Sequence, residues 1–436
     1  MTCEVSWFAA LCDDDYEFLG IPDPALQSSW AHCRDIALAA ETGGYDSLLL
    51  PSGYQMGIDS AAFAAAVAPL LRRIVTLEGS AAVQLLEGPE ITIALDAAQV
   101  EQVLINLIKN AIEAAPEAGQ SAAPTCCVRV GWRKASGQVE IFVEDDGPGI
   151  ANPQNLFVPF FTTKPSGSGI GLVLCRQIAT VDQILGGRLA VNIISSDLPG
   201  APLESAPRYR RTLEIMRVLR DLLNGKPVDF HGEFVSVTLD PPRIAAGSPP
   251  FYFGGLSEAA RDVAAQAADV FLMWPDTLPQ VASVIADMRA RAAAYGRTLR
   301  FGYRAHVIVR ETESEALAAA ARLVSHLSGD AGVKIRARSL DTTSAGVARQ
   351  NALRDSADDD GFAEENLWTG IGRARSGAGA AIVGDPDQVL AKLRAYQELG
   401  LEAFILSGYP HLAEGDLFAR HVLPRLDHAP LFPARD

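Results

Sequence analysis

The chain has 436 residues, 48% of them hydrophobic and 21% charged, and a formal net charge of −16. That composition belongs to a folded globular protein with room for two or three domains, or for one large barrel carrying an insertion. The negative charge argues against nucleic acid and anionic membrane as partners, and it obliges an anionic substrate to find a local cluster of arginines. In chain order, short apolar strands alternate with Ala-rich amphipathic helices. The first are strand Val5–Leu11, helix Ser28–Glu41, strand Ser47–Leu50 and helix Ser60–Leu71. No basic segment precedes the first strand and no apolar run reaches membrane-spanning length, so neither a signal peptide nor a span is expected.

The alternation resumes with strand Leu189–Ile194, helix Ala206–Leu223, strand Phe251–Phe253 and helix Ser257–Ala267. Strand Val270–Met273, helix Leu278–Tyr295, strand Phe301–Val309 and helix Glu313–Ser328 follow. Arg338 to Gly379, rich in Ser, Gly, Asp and Ala, reads as a long mobile loop. Helix Pro386–Leu399 and strand Ala403–Leu406 end the series. Such alternation predicts a parallel βα barrel, one strand short of eight. The missing third strand belongs just after Leu71, where only Ile74 to Leu77 is available, shorter than a usual strand.

Six cysteines (Cys3, Cys12, Cys33, Cys126, Cys127, Cys175) show no paired C-x-x-C spacing, so reduced thiols in a cytoplasmic protein are expected. The adjacent Cys126 and Cys127 read as a strand edge or a metal-binding pair.

Between the flanks lie QVLINLIKNAIEA (Gln102 to Ala114), VEDDGPGI (Val143 to Ile150), LFVPFFTTK (Leu156 to Lys164) and GSGIGL (Gly167 to Leu172). Asn106 and Asn110 are one helical turn apart and share a face. Gly167, Gly169 and Gly171 put free N–H groups at a helix N-terminus, a ready phosphate site. Taken singly, D-x-G-x-G is also a turn and an Asn pair also a polar helix face. In this order and spacing the four segments resemble the N, G1, F and G2 boxes of the histidine-kinase (GHKL) ATP-binding domain. The resemblance implies that Asp145, with Gly147 and Gly149, takes the adenine, and that Asn110 holds Mg²⁺. Asn106, Lys164 and the three glycines of the last box complete the Mg-ATP site. Hydrolysing relatives carry a Glu where Asn106 stands, and an amide cannot act as that base, so hydrolysis should be slow. No His lies between Leu71 and Lys164, so the phosphoacceptor of a sensor kinase is missing.

The flanks point elsewhere. EVSWFAALCDDD, RFGYRAHVIVRET (Arg300 to Thr312) and FILSGYPHL (Phe404 to Leu412) resemble a flavin-dependent alkanesulfonate monooxygenase of the luciferase-like family. Arg304 and His306, two apart on a strand, face the same side with Gly302 and Ile308. They are either a satisfied structural pair or an anion site at a barrel mouth. By the resemblance, Arg304, His306, Arg375, Trp274 and Tyr409 occupy active-site positions, with arginine forks for a sulfonate and Tyr409 as proton donor. Trp274 reads equally as core. Gly254 and Gly255, with Ser257 as N-cap, read as a cradle for the phosphate of reduced FMN or as an ordinary tight strand-to-helix turn. Ser195 and Asp197 face flavin or substrate, or cap. Met56 stands where family members carry a Cys.

The whole reads as α/β, a (βα)₈ TIM-like barrel interrupted after its second βα unit by a partial α/β-sandwich ATP-binding module. The expected divisions are 1–76 and 179–436 for the barrel and 77–178 for the module. GLVLCRQIA, the last kinase-like helix, runs straight into IATVDQILGG of the barrel, so one helix is claimed twice. The leading function is oxidation of an alkanesulfonate to aldehyde and sulfite with FMNH₂ and O₂, an NAD(P)H-dependent flavin reductase supplying the flavin. The rivals are an ATP-binding signalling module on an inactive barrel, and a fusion product with neither activity. A homo-oligomer is compatible with all three.

Overall fold

The computed structural model describes residues 2–51, 58, 60–67, 83–85, 128–135, 138–145, 170–195, 204–241, 247–327, 344–375 and 377–434. The chain opens with β1 (Glu4–Phe8), α1 (Trp30–Gly43), β2 (Ser47–Leu49) and α2 (Ser60–Val67). Next come β3 (Val83–Leu85), β4 (Val128–Ala135), β5 (Gln138–Asp145), α3 (Ile170–Ile184), β6 (Val191–Ile193) and α4 (Ser205–Leu223). A hairpin of β7 (Val228–His231) and β8 (Ser236–Leu239) leads to β9 (Phe251–Phe253), α5 (Glu258–Ala267), β10 (Val270–Met273), α6 (Leu278–Ala294) and β11 (Arg300–Val309). The remainder is α7 (Glu313–Leu323), α8 (Ala345–Asp355), β12 (Phe362–Glu364), β13 (Leu367–Trp368), β14 (Ala381–Gly384), α9 (Pro386–Leu399), β15 (Ala403–Ser407) and α10 (His411–His421). The chain separates into two compact units, Met1–Val75 with Gly171–Asp436, and Thr76–Ile170.

In the larger unit seven parallel strands run in the order β2, β1, β15, β11, β10, β9, β6. Among the described residues β2 and β6 end this row, on either side of the place expected for a third barrel strand; Ile74 to Leu77 lies outside the described residues. The longest strand, β11, serves three neighbours. Its first part pairs with β10, its middle with β15, and His306 to Val309 with β14. Its alternation sorts the two faces. Tyr303, Ala305 and Val307 join the main apolar core, while Arg304 and His306 take the opposite side. Tyr303 packs on Tyr396 of α9 with ring centroids 4.5 Å apart, and each fully buried ring contributes about 1.5–3 kcal/mol.

Helix ends follow local chemistry. Ser29 caps α1 and Gly44 closes it in the left-handed region; Asp385 and Gln388 form a capping box on α9. One continuous helix, α3, spans the stretch claimed by both sequence patterns. Its Cys175, Ile178 and Ala179 lie in the main core, and Asp182 accepts from the Leu189 amide (3.1 Å), turning the chain into β6.

Several expectations are corrected. Arg338 to Gly379 is not one long loop: within it lie α8, the β12–β13 hairpin and the short helical turn Gly370–Arg373. The pattern also missed β14, the β7–β8 hairpin and α10, and the strand expected to reach Leu11 stops at Phe8. No helix among the described residues is long and apolar enough to cross a membrane.

In the smaller unit β3 pairs parallel with β4, and β4 antiparallel with β5, so that Val128 faces Asp145 at the end of β5. Asn106, Asn110, Gly147, Gly149, Lys164, Gly167 and Gly169 lie outside the described residues, as do Cys126 and Cys127. Gly171 falls in α3.

Candidate active site

Four of the residues named from the sequence converge where β1, β11 and β15 end. Arg304 and His306 stand on β11, Tyr409 follows β15, and Arg375 follows the turn Gly370–Arg373. Arg375 Nη1 donates to Asp14 Oδ2 (3.0 Å) and to the Tyr409 hydroxyl oxygen. That leaves the Tyr409 proton uncommitted by this contact. Tyr409 lies over His306 (ring centroids 5.0 Å) and meets Tyr16 and His411 edge-on. The Arg304 guanidinium sits 4.4 Å from the Phe8 ring centroid. Its Nη1 donates to the Ala305 carbonyl (2.8 Å), while its Nη2 is buried without a partner.

Each imidazole has a fixed tautomer. The Ala378 carbonyl can only accept, so His306 Nε2 donates to it (3.1 Å), and Nδ1 accepts from Ser407 Oγ (2.8 Å). His411 Nδ1 likewise donates to the Phe8 carbonyl (3.0 Å), leaving Nε2 an acceptor, buried and without a partner. The His411 amide and His32 Nε2 both bond Asp15, each at 2.9 Å, which pins this corner.

The electrostatics are those of a buried cation pair. Burial, with the nearby Arg375 charge, lowers Arg304 to about 9. Burial pulls Arg375 down, but the Tyr409 oxygen and the Asp14 carboxylate push it up, and the net shift is upward. Burial, Arg304 and Arg375 hold His306 well below the usual imidazole range, so it is neutral at pH 7. Burial raises the Tyr409 hydroxyl more than the Arg375 charge lowers it, so it keeps its proton.

Trp274 is not core. It is 38% exposed, and its ring lies against Gly346 and Gly377, where a Cβ would come within 2.9 and 3.3 Å. The segment pressed against it also carries Ala378, which orients His306. Gln350 ties the two places together, donating to Pro275 O (2.7 Å) and accepting from the Gly379 amide (3.2 Å).

The glycine turn lies apart, at the ends of β6 and β9. A Cβ on Gly254 would stand 2.5 Å from the Leu272 carbonyl, and Gly255, at φ +154°, lies against Ala260 and the Tyr209 hydroxyl. Ser257 caps α5 by accepting from the Ala260 amide (3.3 Å), and Ser195 Oγ accepts from Thr212 (2.9 Å). Buried Arg208 lies over the Tyr209 ring, bringing a cation to the same corner. Asp197 and Met56 lie outside the described residues.

The luciferase-like monooxygenase family model matches residues 172–403, more than half of the chain. The chain belongs to the luciferase-like monooxygenase family. A sulfoquinovose monooxygenase of Novosphingobium aromaticivorans is 53% identical, the alignment covering 98% of each chain. Another, from Agrobacterium fabrum, is 39% identical over 97% of this chain and 89% of its own. The crystal structure of a riboflavin lyase with modified FMN and its substrate riboflavin superposes at a TM-score of 0.63, covering 100% of this chain and 94% of its own. At 14% identity that likeness shows the fold alone, a TIM-like barrel. The model of histidine kinase-, DNA gyrase B- and HSP90-like ATPases matches residues 95–220. The two matches overlap, and α3 lies in both from Leu172 onward.

For this luciferase-like monooxygenase, sequence reasoning missed Phe8, Asp14, Ser407 and His411, all in contact with the four converging residues. Signals existed: the acidic run after β1, and a His two residues beyond Tyr409.

Proposed function

We propose that this chain is an FMNH₂-dependent monooxygenase that cleaves the carbon–sulfur bond of a small organosulfonate. The balance is R–CH₂–SO₃⁻ + FMNH₂ + O₂ → R–CHO + HSO₃⁻ + FMN + H₂O. The single observation that carries it is the buried Arg304, which offers an unpartnered N–H beside a second guanidinium, an arrangement that invites a compact oxyanion. The sulfoquinovose activity in the names of both relatives supports a sulfonate substrate. Reduced FMN, when bound, supplies the electrons that activate O₂; a separate flavin reductase is the source we assign for it.

The residues present suit that cofactor. The Gly254–Gly255 turn, the N-terminus of α5 behind Ser257, the Tyr209 hydroxyl, Arg208 and Ser195 would hold its phosphate. Arg304 binds the sulfonate and Arg375 holds the Tyr409 oxygen in place. Tyr409, protonated at neutral pH, delivers a proton as the carbon–sulfur bond breaks. His306, neutral and locked between Ser407 and Ala378, supplies an oriented wall of fixed polarity. The test is sulfite release from a sulfonate under FMNH₂ and O₂. Arg304→Ala is expected to lower kcat/KM about 100-fold or more, mainly through KM, and an unchanged KM would refute the anion assignment.

A second reading is favoured by the ATPase-family match. Residues 77–178 would bind Mg-ATP through Asn106, Asn110, Asp145, Gly147, Gly149, Lys164, Gly167, Gly169 and Gly171, with Asn110 holding the Mg²⁺. Against a fusion product without activity stands the relative aligned over 98% of both chains.

A further inference from the structure

Residues 427–432 fold back across the starts of the barrel strands, at the end opposite the Arg304 site. Backbone groups alternate between the two edges of a strand, so Cys3 and Val5 face one edge of β1. Val5 gives that edge to the start of β2: its amide donates to Asp46 Oδ2 (2.9 Å) and its carbonyl accepts from the Asp46 amide (2.9 Å). Cys3 gives the same edge to the returning chain. Its amide donates to the Asp427 carbonyl (3.1 Å) and its carbonyl accepts from the Ala429 amide (2.9 Å), a parallel bridge opposite His428. The returning chain thus continues the line of β2 beyond its first residue. His428 Nδ1 donates to the Asp46 carboxylate, 3.0 Å from each oxygen. Further on, the Leu431 carbonyl accepts from Nη1 of Arg300 (3.0 Å), the first residue of β11, and Phe432 lies 5.2 Å from that guanidinium.

The inward side of β1 adds a second fastening. Val5 and Trp7 lie in the main core, so Glu4 and Ser6 point with Phe8 to the other face, into the barrel. Glu4 is buried there and held by three donors: Oε1 accepts from Ser6 Oγ (3.1 Å) and Ser47 Oγ (2.8 Å), and Oε2 from the Leu431 amide (2.7 Å). A buried carboxylate needs such donors, and one of the three comes from the returning chain. Ser47 opens β2, which among the described residues has β1 as its single strand neighbour. We infer that residues 427–432 are a clasp, gripping Asp46 and Glu4, that holds β2 against β1. The other end of β2 reaches the site. The Leu49 carbonyl accepts from the Ala9 amide (3.0 Å), next to Phe8, whose ring lies beside the Arg304 guanidinium. The clasp therefore positions Phe8 through the length of the strand pair, whatever substrate Arg304 binds.

Cys3 is a built-in reporter. It is buried against the clasp, its Sγ 3.8 Å from the Asp427 carbonyl, and burial with the Asp46 and Asp427 charges pushes its thiol up to about 12, so it should label slowly. The test follows thiol labelling, mapped by mass, and amide hydrogen exchange on the full-length protein and on His428→Ala/Leu431→Pro. That variant removes the partner of Asp46 and the amide that Glu4 accepts. Labelling of Cys3 and exchange at Ser47–Leu49 and at Ala9 should each rise about 10-fold or more, while β10, remote in the row, keeps its rate. If the double variant does not fold, His428→Ala alone carries the same comparison. Faster labelling of Cys3 with exchange at β2 and Ala9 unchanged would make the segment a cover and nothing more. Unchanged labelling would mean that it does not depend on these two grips. Either result overturns the inference.

Discussion

Arg304 is charged at pH 7, because even a value lowered to about 9 by burial and Arg375 lies two decades above neutrality. The free protein should therefore lose sulfonate affinity as pH rises through about 9, and kcat/KM should fall over the same range. A bound anion favours the charged form, so the fall in kcat should come at higher pH; coincident profiles would count against the assignment. The imidazoles act at the other end of the scale. Burial lowers both His306 and His411 below the ordinary value of 6.5. Below pH 6.5 the unfolded chain takes up protons that these two refuse in the folded state, so stability is lost as pH falls from there. His306→Asn should flatten the dependence of Tm on pH between about 6.5 and 5; an unaltered slope would show that His306 is not buried neutral. At this scale the sequence was informative where side chains alternate. Arg304 and His306 were legible together because a strand has period two. Asp14 and His411 were not, because they reach the cluster through turns after β1 and β15 whose course no periodicity encodes.

The elements that read best were the apolar strands, β9 and β10 among them, and the capped helix α9. The stretch 344–384 read worst, since Ser, Gly, Asp and Ala are also the composition of a loop, and only the Ser344 cap announced α8. Yet this stretch brings Gly346 and Gly377 to Trp274, and Ala378 to His306. Its tether is Arg349, which grips Asp276 of the β10–α6 turn with two 2.6 Å bonds, beside the Gln350 bridge. Arg349→Ala leaves a buried carboxylate short of its cation. Since Arg349 is itself a third exposed, we expect a loss of about 1–3 kcal/mol rather than the full cost of a buried pair. The distinguishing readout is kinetic: kcat should fall about 10-fold with KM little changed, because His306 loses its oriented carbonyl while Arg304 keeps the anion. Destabilisation with kcat intact would make the tether merely structural.

At the scale of the whole chain, two family patterns compete for α3, and the barrel's claim is visible in its packing. Cys175, Ile178 and Ala179 fill the main core, and Asp182 directs the chain into β6. The sequence alone could not divide this helix, since its apolar period serves either neighbour. If α3 belongs to the barrel in energy as well as position, Ile178→Ala should cost about 2–4 kcal/mol and weaken the monooxygenase. If residues 77–178 bind Mg-ATP, that binding should answer to different residues. Asp145→Asn should abolish binding of a fluorescent ATP analogue, leaving sulfite release unchanged, and no hydrolysis above background should be seen with Asn106 in place of an acid. Excising residues 79 to 166 and supplying a third strand and loop should remove nucleotide binding while sulfite release persists or rises, because α3 and everything after it are retained. A repaired protein that folds, by circular dichroism and Tm, yet releases no sulfite would mean that residues 79 to 166 are part of the monooxygenase rather than a guest in it.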